Sequence, residues 1–234
     1  MSRWCTPGQP CSGIVTPPGW LTASRWTQAG STLTAGNEFG YAADISGDGT
    51  TIAVGVPSAA GSSRIGTAVV YRFSAGNWAP LGNSLAGLEI ADTFGDALAL
   101  SSTGSRIVVV APSDNAGGAS SAGRARVFDL VAGNWTQVGQ DIVGDPGTGL
   151  GGETRSVALS ANGTQFAVIA PGASRARVYR LIGNVWTQVG TDISANPGAA
   201  VRAGGLALSA DGSTTAVGWI NGTPRRVRVF SIAP

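Results

Sequence analysis

The sequence predicts an all-β protein: a β-propeller of four blades, four antiparallel strands each, with a short irregular N-terminal arm. Two observations support this prediction. A tryptophan motif recurs four times, beginning at Trp26, Trp78, Trp135 and Trp186, and three short apolar runs follow each copy. A repeat of about fifty residues with four strands is typical of a propeller blade.

The strands follow one another in the same order in every repeat. In the first, an alternating run ends in the turn at 46–49, a second run begins at Thr51, and a closing run begins at Thr67. Asp-Gly, Thr-Gly and Asn-Gly pairs supply the positive backbone angles of tight hairpin turns. Because 36 glycines and 12 prolines are spread along the chain, we expect no helices of any length.

The repeats divide the chain into two parts. Residues 1–25 are rich in proline, glycine and serine, and we interpret them as a docking arm. Residues 26–234 form the propeller, with repeats at about 26–77, 78–134, 135–185 and 186–234. The ring has three ways to close: the arm adds a strand to the last blade, side chains alone pack, or two chains join. We expect a single four-bladed ring, and the oligomeric state stays open.

The recurring tryptophan is expected to fill the widening space between neighbouring blades, since a large rigid ring suits that position. Two other tryptophans lie outside the repeating position. Trp219 stands in the last blade where other repeats have proline, and Trp20 lies in the arm. We take these two as candidates for stacking against a ligand.

The segment from Phe39 to Pro57, FGYAADISGDGTTIAVGVP, resembles the FG-GAP repeat of integrin-alpha-type β-propellers. Later copies drift from this pattern. The resemblance implies a calcium loop in the first repeat, with Asp44, Ser46 and Asp48 as oxygen ligands. The other three repeats have alanine in place of Asp44, at positions 99, 158 and 207. We therefore consider calcium for the first loop alone, and we expect no other cofactor.

The composition excludes several kinds of catalysis. The chain has no histidine, and all fifteen basic residues are arginine. Ser-His-Asp and Cys-His catalysis, histidine-bound zinc and lysine Schiff bases are therefore excluded. Carboxylates remain, and Glu38, Glu89 and Glu153 lie in the variable stretches near the FG position. They would form a loose acidic ring if those loops meet at one mouth of the propeller, but we expect no enzyme.

Paired arginines mark the closing strands of the last three repeats. They are Arg124 and Arg126, Arg175 and Arg177, and Arg226 and Arg228. Residues two apart on a strand point to one face, so we expect an arginine band on the outer wall. Such a band either protects an exposed edge or contacts an anionic partner such as lipopolysaccharide or a capsid protein. The net charge of +2 and the lack of interleaved aromatics argue against nucleic acid.

Cys5 and Cys11 are the two cysteines and enclose the sequence CTPGQPC. The Pro-Gly turn between them allows a small disulfide loop in an oxidising setting, while two reduced thiols are the alternative. The arm lacks the apolar stretch of a signal peptide. No apolar run approaches the eighteen residues of a membrane span, so we expect no membrane insertion.

Two classes of function fit these observations. The first is a non-catalytic interaction module for adhesion or assembly on a protein or glycan surface. One version is a bacteriophage decoration, fibre or minor capsid protein that contacts capsid or tail proteins and works outside the cell or on the virion surface. The alternatives are a glycan-binding lectin and a propeller glycan lyase or hydrolase that uses arginines and carboxylates at the channel.

Overall fold

The computed structural model describes residues 27–36, 38–58, 63–118, 120–152, 155–194, 203–220 and 225–232. These residues form four antiparallel sheets, with no α-helix and two short 3-10 turns at Ala116–Gly118 and Pro171–Ala173. The predicted all-β class and the propeller of four blades are confirmed. We number the blades 1 to 4 in chain order.

Each blade is built from short strands that follow one another in sequence. Blade 1 contains β1 (Ala43–Ile45), β2 (Thr51–Val56), β3 (Ile65–Ser74), β4 (Asn77–Pro80) and β5 (Leu85–Ile90). Blade 2 contains β6 (Ala97–Leu100), β7 (Arg106–Ala111), β8 (Arg124–Val131), β9 (Asn134–Gln137) and β10 (Ile142–Val143). Blade 3 contains β11 (Val157–Leu159), β12 (Gln165–Ala170), β13 (Arg175–Ile182), β14 (Val185–Gln188) and β15 (Ile193–Ser194). Blade 4 contains β16 (Ala203–Leu208), β17 (Thr214–Trp219) and β18 (Arg226–Ser231).

The closing strand of blades 1, 2 and 3 is not the outer edge of its sheet. Two further strands pair with it on the side away from the preceding strand. In blade 2, β8 pairs with β9 through Leu130 and Trp135, and with β10 through Ala125 and Ile142. The tryptophan strand therefore joins the sheet of the preceding repeat, and the blades are offset from the sequence repeats. Blades 1, 2 and 3 have five strands rather than four, and the described part of blade 4 has three.

The core lies between neighbouring blades. All residues of β12 are buried, and so are five of the six in β7, although a half-exposed strand would alternate. Both faces are covered because blades 2 and 3 each lie between two others. Side chains such as Val108 and Val168 fill the space between blades 2 and 3, and Ile169 and Val217 meet between blades 3 and 4.

The predicted hairpin turns are present. Gly49, Gly104, Gly163 and Gly212 all have φ between 65° and 77°, which favours glycine. These turns also connect the blades through backbone hydrogen bonds. The Gly47 amide donates to Ser102, the Ser102 amide to Ala161, and the Ala161 amide to Ala210, each at 2.8 Å.

Candidate functional site

The innermost strands of all four blades, β1, β6, β11 and β16, line a central cavity of about 350 Å³. Its ionisable residues are Asp44 and Arg155, and the other lining residues are alanine, valine and leucine. The Asp44 carboxylate accepts hydrogen bonds from the Leu100 amide at 2.7 Å and the Ile45 amide at 2.9 Å. Asp44 therefore ties blade 1 to blade 2, and the channel offers little chemistry of its own.

The proposed calcium loop is occupied by its own hydrogen bonds. The Ser46 hydroxyl donates to Asp48 at 2.6 Å, and the Thr50 amide donates to the same carboxylate at 2.9 Å. These hydrogen bonds lower the pKa of Asp48 from 3.8 to about 2, and the bond from Ser46 contributes most. Ser209 and Asp211 form the same turn in blade 4. Within the described residues no three His, Cys, Asp or Glu side chains cluster as metal ligands, so calcium here stays a prediction.

A second cavity, of about 240 Å³, opens between blades 1 and 2 at the ends of their inner hairpins. Its lining residues are Glu38, Tyr41, Pro57, Ser58, Thr93 and Asp96. Glu38 and Thr93 directly precede the Phe-Gly pairs of the first and second repeats. We call this cavity the rim pocket.

Two buried polar atoms at the rim pocket have no hydrogen-bond partner within the described structure: Glu38 Oε2 and Ser58 Oγ. Ser58 is 1% exposed. A buried oxygen without a partner is costly, so such atoms call for an explanation such as a ligand or a water. Glu38 and Thr93 also hold positive φ angles of 67° and 59°. Strained backbone of this kind clusters at functional sites.

The rim pocket is suited to a ligand that donates hydrogen bonds. The carboxylates of Glu38 and Asp96 accept them, and the hydroxyl of Ser58 both donates and accepts. Tyr41 is 52% exposed and provides an aromatic face beside these oxygens. Hydroxyl groups arranged around an apolar ring face, as in a sugar, match this combination.

The paired arginines of blades 2 and 3 do not form an outer band, which corrects the expectation from sequence. Arg124 and Arg126 lie on β8, beyond which β9 and β10 are paired. Both side chains are 14% exposed, and Arg177 on β13 is 13% exposed. Arg175 is 28% exposed. The outer wall is therefore the tryptophan strand and the short fifth strand.

Carboxylates neutralise these four arginines. Arg124 binds Asp114 at 3.0 Å and also pairs with Asp141. Arg126 packs over the ring of Phe128 at 4.9 Å, and burial lowers its pKa. This network leaves little positive charge for an anionic partner on blade 2.

Blade 3 repeats the arrangement. Arg177 binds Asp192 and Asp145, both at 2.8 Å, and Arg175 binds Asp192 at 2.9 Å and also pairs with Asp145. The hydrogen bond from Arg177 lowers the pKa of Asp192, and the same bond raises the pKa of Arg177. Arg226 and Arg228 differ, because both are exposed on β18. Their role in binding a partner stays a prediction.

The predicted place of the repeating tryptophan between blades is confirmed. Trp135 is 5% exposed and Trp186 2% exposed. The Trp186 indole N–H donates to the Val138 carbonyl of the preceding repeat at 2.9 Å, and Trp135 and Trp78 make the equivalent bond. Trp219 is wrong as a ligand-stacking candidate. It is 3% exposed and packs in the core between blades 3 and 4.

Three further sequence predictions fall outside the described residues: the stacking role of Trp20, the pairing of Cys5 with Cys11, and the acidic position Glu153. Glu89, by contrast, is exposed on β5 and does not line the rim pocket. Of the two glutamates that the structure describes, Glu38 lines the pocket and Glu89 does not.

Sequence reasoning missed Ser58, Thr93 and Asp96 at the rim pocket, since none belongs to a motif. It also missed the acidic partners of the arginines, although a signal was present. Asp141 and Asp192 both stand six residues after a repeat tryptophan, and in both cases an Arg-x-Arg pair ends nine residues before that tryptophan. Opposite charges that recur in register indicate pairing within a blade.

No helix among the described residues is long and apolar enough to cross a membrane. No protein-family model matches the chain, and no curated protein matches it.

Solved structures show similarity of fold. The chain is similar to a candidate 6-phosphogluconolactonase from Bacteroides uniformis, with a TM-score of 0.54, 14% identity, and coverage of 87% of this chain and 70% of that one. For Kuenenia stuttgartiensis hydrazine synthase the TM-score is 0.55 at 14% identity, and the match covers 82% of this chain and 58% of that one. For the β-propeller domain of Cps50 (Swd1) from Myceliophteria thermophila it is 0.53 at 15% identity, covering 88% and 58%. At these identities the likeness supports the propeller fold alone.

Proposed function

We propose that this chain is a non-catalytic propeller module that attaches to a surface by binding a glycan in the rim pocket between blades 1 and 2. The observation that carries the proposal is the pair of buried oxygens without partners in the described structure, Glu38 Oε2 and Ser58 Oγ, on two residues that line one cavity. Hydroxyl groups of a sugar would satisfy both atoms. The exposed ring of Tyr41 adds a stacking surface.

The non-catalytic part of the proposal draws its support from composition. The chain has neither histidine nor lysine, so acid-base chemistry would depend on carboxylates. Asp114 and Asp192 are bound to arginines of the closing strands, and hydrogen bonds within its turn hold Asp48 ionised. A carboxylate with a low pKa is a poor general acid near neutral pH. The FG-GAP resemblance is likewise our proposal, and it rests on Phe39–Pro57.

Binding to an immobilised panel of bacterial polysaccharides tests the proposal. We expect retention of at least one glycan, and at least a tenfold loss of affinity in Glu38→Gln and in Ser58→Ala. Glu89→Gln is the matched control, because Glu89 is an exposed carboxylate outside the pocket. Equal binding by all variants, or no retained glycan, would overturn the rim-pocket proposal. Cleavage of the bound oligosaccharide, seen by chromatography, would contradict a non-catalytic role.

The virion version of this role rests on the sequence and needs a separate measurement. Mass spectrometry of purified particles and of the surrounding medium would give the copy number of the chain in each. A fixed stoichiometry with capsid or tail proteins would support it, and recovery of the chain only as free protein would refute it.

A further inference from the structure

The described part of blade 4 lacks two strands that each of the other blades has. In blades 1, 2 and 3 the closing strand pairs with a tryptophan strand and a fifth strand, whereas β18 pairs with β17 alone in the described structure. An open strand edge exposes unpaired backbone donors and acceptors and favours pairing with another segment. This inference is independent of the glycan proposal.

Exposure on β18 shows that no blade of the described structure covers the face of blade 4 that the next blade covers in blades 2 and 3. Val227 is 72% exposed, while the residues at the same position of the other closing strands, Ala68, Ala125 and Ala176, are all at 0%. Val229 is 66% exposed, while its equivalents Val70, Val127 and Val178 are at 1% to 2%. Two exposed apolar side chains on this face are the surface that a following blade buries.

A second gap lies on blade 3, at Gly190. A Cβ added at Gly30, Gly82 or Gly139 would lie within 2.6 to 3.0 Å of the next repeat's tryptophan ring. The equivalent Gly190 has nothing within 4 Å. The place for a following tryptophan is therefore open beside blade 4.

The hydrogen bonds between turns end at the same junction. They run from Gly47 to Ser102, Ala161 and Ala210, and among the described residues none continues from the Ala210 amide. On blade 1, Ile45 is 55% exposed. Blades 1 and 4 thus end a series of four, and each presents a surface that the inner blades cover.

The chain carries the two missing strands ahead of blade 1. The motif WTQAG begins at Trp26, and Leu33 stands seven residues after it, as Leu85, Ile142 and Ile193 follow their tryptophans. The registers of β9 on β8 and of β14 on β13 then place Thr27 opposite Ser231 and Gln28 opposite Phe230. The registers of β10 and β15 place Leu33 opposite Val227.

Residues 27–36 contain no strand and lie on blade 1 of their own chain. The Trp78 indole donates to the Ala29 carbonyl at 2.8 Å, and the Ser31 hydroxyl donates to Asn77 at 2.6 Å. This segment is bound to blade 1. The closing strand to which it can add strands therefore belongs to the blade that lies beside blade 1.

We infer that the occupant is a second copy of this chain: residues 26–34 of each copy add two strands to β18 of the other. Two copies related by a two-fold axis along the channel form two identical junctions of blade 4 with blade 1. Such a head-to-tail pair closes one ring from the blades of both chains, in place of the single four-bladed ring expected from the sequence, and leaves no open edge. It buries Val227 and Val229 and fills the space at Gly190.

Sedimentation of the full chain and a cysteine cross-link test this inference. We expect twice the 23.4 kDa chain mass. The two natural cysteines are first removed by Cys5→Ser and Cys11→Ser. The double variant Thr27→Cys/Ser231→Cys in this background should, after oxidation, run as a covalent dimer on a non-reducing gel. Each single variant should stay monomeric on that gel, and a mixture of the two should cross-link.

Three outcomes would overturn the inference. The first is a monomeric mass, and the second is a dimer that the cysteine pair does not cross-link. The third is an internally cross-linked monomer, which would mean that the chain closes its own ring.

Gly190→Ala gives a second measurement. We expect it to weaken dimerisation at least tenfold, because a methyl group would meet the partner's tryptophan. Gly183→Ala is the control, since Gly183 has a similar φ of 61° against 69° and also has nothing within 4 Å. An equal effect of both would contradict the inference.

Discussion

Replacing Trp186 by phenylalanine tests whether the repeating tryptophan holds neighbouring blades together. The change removes the indole N–H that donates to Val138 at 2.9 Å, in a ring that is 2% exposed. Loss of that hydrogen bond costs about 1 kcal/mol. The missing ring volume beside Phe166, whose centroid lies 5.0 Å away, costs about 1–2 kcal/mol more. We expect unfolding to become easier by about 2–3 kcal/mol.

The assay is urea unfolding followed by far-UV circular dichroism, because tryptophan fluorescence itself changes with the substitution. Protein concentration is held constant, since association would shift the apparent stability. The midpoint should fall while the dependence on urea stays the same.

Trp78→Phe is the matched control. Trp78 makes the same bond, to Ala29, but in an exposed setting where water replaces the lost donor. We expect about 1 kcal/mol there. Equal losses at both sites, or a loss below about 1 kcal/mol at Trp186, would refute the inter-blade argument.

Three further predictions concern local geometry and charge. Gly139→Ala should destabilise the protein by about 1–2 kcal/mol more than Gly133→Ala does. Both glycines have positive φ, but only a Cβ at Gly139 would meet a tryptophan ring, at 2.6 Å from Trp186. The midpoints of urea unfolding compare the two variants. Asp192→Asn should cost about 1 kcal/mol at pH 7. The hydrogen bond from Arg177 lowers the pKa of Asp192 below its ordinary 3.8. The stability that ionised Asp192 adds is therefore present above pH 3.8 and is lost as the pH falls through the pKa of Asp192 in the folded protein. The melting temperatures of the natural chain and of Asp192→Asn should then converge in acid. A rise in the melting temperature at millimolar calcium that Asp48→Ala abolishes would support the calcium prediction, and no shift would remove it.

Much of the fold was predictable because its signals are local. Turn glycines such as Gly49 and Gly104 fix the hairpins, and alternating apolar runs fix the strands. The tryptophan spacing fixes the number of blades. These features depend on residues close in sequence, whose backbone preferences act before any tertiary contact forms.

The candidate site was less predictable. Glu38 was noticed as one of three acidic residues, but its neighbours Ser58 and Thr93 join it only where two blades meet. Trp219 looked available for a ligand because it breaks the repeat pattern, yet burial decides otherwise. Sequence spacing does not report which side of a strand a neighbouring blade covers.

The sequence by itself determined the all-β class, the repeat and the absence of histidine and lysine chemistry, since each follows from composition or short-range pattern. Only the tertiary structure decided that the tryptophan strand joins the preceding blade, and that the arginines at 124 and 177 lie inside charged networks. Both are pairings between segments distant along the chain. Their energy comes from burial and hydrogen-bond partners that exist only after the blades have packed.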